Sequence, residues 1–183
     1  MDKGFLPLTP ANWDDLVELF GEHGAYGGCW CMFWRQTRQE FNQNCGERNK
    51  QALKALVDHG VILGILAYQD GKVVGWVSIA PREDFSSLER PRTLKRIDDQ
   101  PVWSIVCCYA QKIQRGNMMA TLSDYAVTYA RENGAQIIEA YPSTSNAHVQ
   151  SAELYMGRLS TFLVAGFEEQ APAGSKVVVR KYL

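Results

Sequence analysis

The sequence predicts an α/β (α+β) domain: a mixed, mostly antiparallel sheet of six to seven strands flanked by about four helices. Two patterns carry that expectation. The first is a hairpin. Ile62 to Tyr68 and Val73 to Ala80 are apolar, and Gln69-Asp70-Gly71-Lys72 between them contains an Asp-Gly step that readily takes positive φ. The second is a strand–helix–strand order over residues 102–141. Hairpins pair antiparallel, whereas a strand–helix–strand unit makes a parallel, right-handed crossover. Both in one chain of 183 residues imply one mixed sheet.

The elements follow in order. Phe5-Leu6-Pro7-Leu8 reads as a short edge strand. Thr9-Pro10 starts a helix, with a hydroxyl cap followed by proline in the first turn. Trp13, Leu16, Val17 and Phe20 give that helix one apolar face, and Gly21 and Gly24 end it. Residues 24–46 read as a loop with one or two helical turns. Leu53, Leu56 and Val57 make Glu47–His59 a second amphipathic helix, ended by Gly60. After the hairpin, Pro81 stops the strand. Residues 82–101 form a polar excursion with one helical piece. Val102–Tyr109 is an apolar strand. Leu122, Tyr125, Ala126, Tyr129 and Ala130 give Met119–Asn133 a helical face, capped by Gly134. Ile137–Tyr141 is a buried strand stopped by Pro142. A helix is expected over Ala152–Ala165, weakened by Gly157. A final strand runs over Val177–Tyr182, with a further short one at Glu168–Gln170.

The length fits a single domain over 1–183, with 1–60, 61–142 and 143–183 as N-terminal, central and C-terminal parts. Apolar residues make up 46% and charged residues 21%, as in an ordinary globular protein. The net charge of −1 removes the global electrostatic case for nucleic acid or an anionic membrane. No apolar run is long enough to span a bilayer, and the start lacks a signal-peptide core. Five cysteines cannot all pair internally, which with the missing signal suggests free thiols and a cytoplasmic location.

The stretch most suggestive of chemistry is Val102 to Ala120. An apolar strand runs into a short basic turn that opens a helix. The unpaired N–H groups and positive dipole of a helix start suit a phosphate or pyrophosphate, and Arg115-Gly116 adds charge and close access. With the hairpin Asp70-Gly71-Lys72-Val73-Val74-Gly75-Trp76, Glu139-Ala140-Tyr141-Pro142 and the late Ala165-Gly166-Phe167, the chain resembles the GCN5-related N-acetyltransferase (GNAT) family. The resemblance covers most of the chain and implies the acyl-CoA N-acyltransferase type of fold.

It also implies a site. The backbone of Cys108, Tyr109 and Ala110 would pair with the pantetheine arm of acetyl-CoA (coenzyme A), and one N–H would polarise the thioester carbonyl. Gln114, Arg115, Gly116, Asn117, Met118, Met119, Ala120 and Thr121 would hold the pyrophosphate. Met118 stands where the family's loop has its middle glycine. The family's usual tyrosine, four residues before the late glycine, is here Phe162. A phenyl ring donates no proton, so Phe162 counts with the cofactor-binding residues. Ser160, Thr161, Tyr155 or a water then stands in as acid, unless the thiolate leaves unassisted. Glu139, beside the pantetheine slot, is the candidate base; the alternative is a plain strand-edge carboxylate. Trp30, Phe33 and Trp34 suggest an aromatic wall for the acceptor, with core filling as the alternative. Arg35 meets either an anionic group of the acceptor or solvent.

Other groupings point less far. Cys29-x-Cys31 with Cys45 and His23 lacks the usual zinc spacing, so no metal is expected. Cys107 and Cys108 are strand neighbours on opposite faces, so at most one faces a cleft. His23, His59 and His148 are isolated and read as surface residues. Arg82, Arg90, Arg92, Lys95 and Arg96 are balanced by Glu83, Asp84, Glu89, Asp98 and Asp99, which reads as a solvated face. The final strand offers an edge for a homodimer. The function expected is acetyl transfer from acetyl-CoA to the amine of a small molecule, by direct attack in a ternary complex. The alternative is a catalytically degenerate GNAT-fold protein that binds or sequesters a ligand.

Overall fold

The computed structural model describes residues 4–111, 115–144 and 155–183, with only the backbone described for 115–117. Seven strands form one sheet: β1 (Phe5–Pro7), β2 (Ile65–Gln69), β3 (Lys72–Pro81), β4 (Trp103–Ala110), β5 (Ile137–Ala140), β6 (Glu168–Ala173) and β7 (Lys176–Tyr182). Their order is β1-β2-β3-β4-β5-β7-β6. Only β4 and β5 pair in parallel. The helices are α1 (Trp13–Phe20), α2 (Arg38–Asn44), α3 (Glu47–Asp58), α4 (Arg115–Glu132) and α5 (Leu159–Val164).

Local chemistry explains the hairpin. Asp70 (φ 51°) and Gly71 (φ 74°) are both left-handed, so the two-residue turn matches the sheet's twist. At the start of α1, Asn12 folds its side-chain oxygen back to the Thr9 N–H at 2.8 Å. Trp13, Leu16, Leu19 and Phe20 then present one buried face.

The sheet is covered on both sides. On one side α4 lies against β3 and β4, with α5 beside it. Ile105, Cys108, Ala110, Leu122, Ala126, Ala130, Phe162 and Phe167 belong to that core. On the other side α1 and α3 cover Leu66 and Trp76, and the 82–101 excursion covers Val106 and Tyr141. Each fully buried large side chain here contributes about 1.5–3 kcal/mol.

Four expectations change. The excursion makes three short 3-10 turns, not one helical piece. The helix expected over 152–165 spans only Leu159–Val164 within the described residues; Tyr155–Arg158 is non-helical. The break has a local cause: Gly157 is left-handed (φ 84°), and a Cβ there would sit 2.6 Å from the Phe162 ring. Val177–Tyr182 is not an edge, because β7 lies between β5 and β6, leaving β1 and β6 outermost. Finally, Arg82 is not on a solvated face but 1% exposed.

Candidate active site

β4 is rich in apolar, β-branched and aromatic residues and pairs with β3 along its whole length. With β5 it pairs only over Trp103–Ile105, opposite Ile138–Ala140. The β3 register slips as well. Ser78 faces Cys107 and Ile79 faces Ile105, so Val106 is an extra residue. Such a bulge bends a strand and increases its twist. Beyond it β4 runs on to Ala110, whereas β5 stops at Ala140. The parallel pairing therefore opens into a wedge.

The segment after residue 154 enters that wedge. The Cys108 N–H donates to the Tyr155 carbonyl at 2.6 Å, the Ser143 N–H to the Gly157 carbonyl at 3.2 Å, and the Leu159 N–H to the Ser143 carbonyl at 3.4 Å. The Gln111 N–H goes the other way, to Val74 of β3. Strand alternation therefore turns the backbone of Cys108 and Ala110 toward the wedge. Their side chains pack on the α4 side, while Cys107 and Tyr109 pack on the opposite face. Burial pushes the Cys108 thiol up to about 12, which leaves it no nucleophilic character at neutral pH.

Rings line one side of the wedge. Tyr155 stacks on Tyr109 (centroids 5.9 Å apart, 27° between planes) and tilts against Tyr26 at 5.7 Å. Tyr26 is 47% exposed. Sequence reasoning missed Tyr26 and the ring of Tyr109. A tyrosine flanked by Gly24, Gly27 and Gly28 was the available signal for an aromatic carried outward on a loop.

The expected site residues divide. Cys108, Tyr109, Ala110 and Tyr155 come together at the wedge. α4 begins at Arg115, five residues after β4 ends, so its N-terminus lies at the open end of that strand. Gln114 is outside the described residues, as are the side chains of Arg115 and Asn117; Gly116 is described by its backbone. Met118 and Met119 are half-buried and pack against the α4-side core. Ala120 and Thr121 are half-buried on the same helix, and Ser160 is exposed on the first turn of α5. Phe162 is 1% exposed, with its ring edge-on to Phe167 and close to Gly157.

The aromatic trio separates. Trp30 is 4% exposed and packs on Trp13 and Phe20 inside the α1 core. Phe33, Trp34 and Phe41 form a second, half-exposed group. Arg35 is half-buried, near Asp84, whose carbonyl accepts from it at 3.4 Å. It lies over the Phe85 ring at 4.5 Å and donates to the Ile62 carbonyl at 3.3 Å.

Glu139 is 1% exposed, on the face away from α4. One of its oxygens accepts from Arg180 at 2.8 Å. The other accepts from Arg82 at 3.1 Å and from the Tyr141 hydroxyl at 2.9 Å. Tyr141 also meets Ser104 at 2.8 Å. Arg82 reaches Glu89 as well, and Arg180 clamps Asp98 through two bonds of 2.6 and 2.9 Å. Burial, then the Glu139 charge, pushes the Tyr141 phenol well above its ordinary range. Arg180 holds the Asp98 carboxyl well below the usual carboxylate range. With both oxygens bonded to guanidinium groups, Glu139 anchors the excursion to the sheet.

Among the described residues, no three His, Cys, Asp or Glu side chains cluster as a metal site would require. None of their helices is long and apolar enough to cross a membrane.

The wedge is filled by the chain's own backbone from Tyr155 to Leu159. The Cys108 N–H already meets a backbone carbonyl there, so a polar chain is accommodated beside β4. The same bond means that Tyr155 must release this donor before Cys108 can serve another group.

Residues 27–158 match the model of the Acetyltransferase (GNAT) family. No functionally curated protein matches the chain in sequence. Solved structures share the fold at low identity. The PaiA N-acetyltransferase from Thermoplasma acidophilum, solved in complex with coenzyme A, is 16% identical with a TM-score of 0.55, covering 98% of both chains. A GNAT-family acetyltransferase from Listeria monocytogenes is 12% identical with a TM-score of 0.57, covering 98% of this chain and 94% of the other. An agmatine N-acetyltransferase in its apo form is 13% identical with a TM-score of 0.58, covering 98% of both.

Proposed function

This chain belongs to the GNAT acetyltransferase family, and we propose that it transfers an acetyl group from acetyl-CoA to the amine of a small molecule by direct attack in a ternary complex. The observation that supports this reading most is the wedge: β4 parts from β5 after Ile105, and the Cys108 N–H points into the gap. Acetyl-CoA, when bound, supplies an activated thioester. In this reading the backbone of Cys108–Ala110 holds the arm, and the first turns of α4, from Arg115 to Thr121, face the pyrophosphate. A backbone N–H in the wedge stabilises negative charge on an acyl oxygen. Tyr155 Oη gives its proton to the leaving sulfur, the role that Phe162 cannot fill. Since Glu139 is buried and held by two guanidinium groups, the amine arrives neutral or loses its proton to water. Tyr26 and Tyr109 offer ring faces that attract a cationic or flat acceptor.

One observation favours a second reading. Tyr155 already occupies the Cys108 N–H, as a protein that only sequesters ligands would tolerate. Calorimetry with acetyl-CoA, followed by thiol release against a panel of small amines and peptide amines, separates the two. Binding with turnover on a small amine supports transfer, and turnover on peptides alone overturns the small-molecule acceptor. Binding without turnover favours sequestration. No binding at millimolar acetyl-CoA overturns the cofactor assignment.

A further inference from the structure

Tyr26 is 47% exposed, yet the loop that carries it is firmly held. The Ala25 N–H donates to the Phe20 carbonyl at 2.8 Å, the Gly28 N–H to the His23 carbonyl at 2.9 Å, and the Cys29 N–H to the Tyr26 carbonyl at 3.0 Å. The Gly28 carbonyl accepts from the Gly46 N–H at 2.9 Å and from Nδ2 of the buried Asn49 at 3.2 Å. Tyr155 belongs to a segment held less tightly. Its bonds to Ser143, from Gly157 and Leu159, are 3.2 and 3.4 Å long. Gly157 is left-handed (φ 84°), and glycine leaves that region at little cost, so the chain can turn there. Met156 is buried with Val106 and Tyr141 and sets where the segment lies. A fixed ring on one loop thus meets a ring on a segment that can move.

We propose that Tyr26 is a positioning residue that holds the Tyr155–Leu159 segment in the wedge, where this segment competes with the pantetheine arm of coenzyme A. The inference rests on the reading that coenzyme A enters the wedge. The Tyr155 carbonyl takes the Cys108 N–H at 2.6 Å, and the backbone behind it lies beside β4, the place the arm would take. The free protein is then occupied by its own chain. Coenzyme A binds the fraction in which Tyr155 has let go, and its apparent dissociation constant is the intrinsic one divided by that fraction. A ring contact that favours the closed state therefore weakens cofactor binding without touching the cofactor.

Two rings touch Tyr155, and they differ in what else they do. Tyr109, stacked on it at 5.9 Å, also packs edge-on against Phe20 and belongs to the α1 core, so its removal would loosen more than the segment. Tyr26, tilted against Tyr155 at 5.7 Å, stands at the exposed rim. Its ring can be removed with the Gly28 turn left in place, because the bonds of that turn run through backbone and Asn49. The predicted direction is also distinctive. Damage to a binding site lowers affinity, whereas release of a competitor raises it.

The test uses the full chain and two measurements: hydrogen exchange of the Cys108 amide in the free protein by NMR, and calorimetry with coenzyme A. In Tyr26→Ala the Cys108 amide is expected to exchange roughly 2- to 10-fold faster, relative to the amides of β5, and coenzyme A to bind tighter by the same factor, the range that one aromatic pair supports. Tyr26→Phe keeps the ring and is expected to match wild type in both. Unchanged Cys108 exchange in Tyr26→Ala overturns the holding role. Faster exchange with coenzyme A affinity unchanged or weaker overturns the competition. If no variant binds coenzyme A at millimolar concentration, the cofactor reading fails and the competition with it, while the exchange rates still decide whether Tyr26 holds the segment.

Discussion

Follow the β4–β5 seam from one end to the other and the chemistry changes. At the paired end, Ser104 lies beside Glu139, and two guanidinium groups, a phenol and a serine hydroxyl close around one carboxylate. Every strong group there is spent on another. The open end, among the described residues, is built differently. The resources are a backbone N–H at Cys108, the rings of Tyr26, Tyr109 and Tyr155, and the start of α4. Titratable density would direct attention to the first end. On the proposed reading acyl transfer uses the second, where β4 runs on past the last β5 pairing. A buried charge cluster is weak grounds for catalysis once its members neutralise one another.

The largest effect that would break this contrast concerns Glu139. Its removal leaves Arg82 and Arg180 buried with reduced compensation. Glu139→Ala is therefore expected to cost about 3–5 kcal/mol in urea unfolding. If the protein instead keeps its stability and loses only turnover, Glu139 belongs to the chemistry and the contrast fails.

The second effect lies at the open end. Tyr155→Phe keeps the stacked ring and removes one hydroxyl. On the acetyltransferase reading, kcat falls by roughly 100-fold, the low end for loss of a general acid, while the unfolding midpoint stays near wild type. Unchanged kcat would show that the thiolate leaves without help from this residue. Phe162→Ala gives the contrasting result, with a stability loss of about 3–5 kcal/mol because a core ring is removed.

How much of this could be read from the sequence depends on how local each cause is. The hairpin was legible because Asp70-Gly71 sets its own geometry. The β4–α4–β5 unit was legible because apolar period and Gly134 both lie within it. The Glu139 network was not, since Arg82 and Arg180 lie 57 and 41 residues away and meet only across the finished sheet. Trp30 is instructive in another way. Its neighbours in sequence, Phe33 and Trp34, suggested one wall, but its left-handed backbone turns it into the α1 core. Tyr155 reaches the wedge through a left-handed Gly157, whereas helical periodicity would have carried it elsewhere.

The smallest effect probes the rim of the closed end. Arg180 holds Asp98 through two hydrogen bonds, and the Asp98 side chain is 34% exposed, so solvent and salt screen part of the interaction. Its folded-state pKa is depressed. Such a group stabilises fully above its unfolded value, about 3.9, and the benefit is lost as pH falls from there toward the folded value. Asp98→Asn should therefore be modestly less stable than wild type at neutral pH. The two unfolding curves should converge as the buffer is taken down through the acid range, since the other carboxylates titrate alike in both proteins and cancel. A gap that holds constant into strong acid would mean that Asp98 acts through shape and not charge. The closed end would then be sealed by packing around Arg180, and the electrostatic half of the comparison would rest on Glu139 alone.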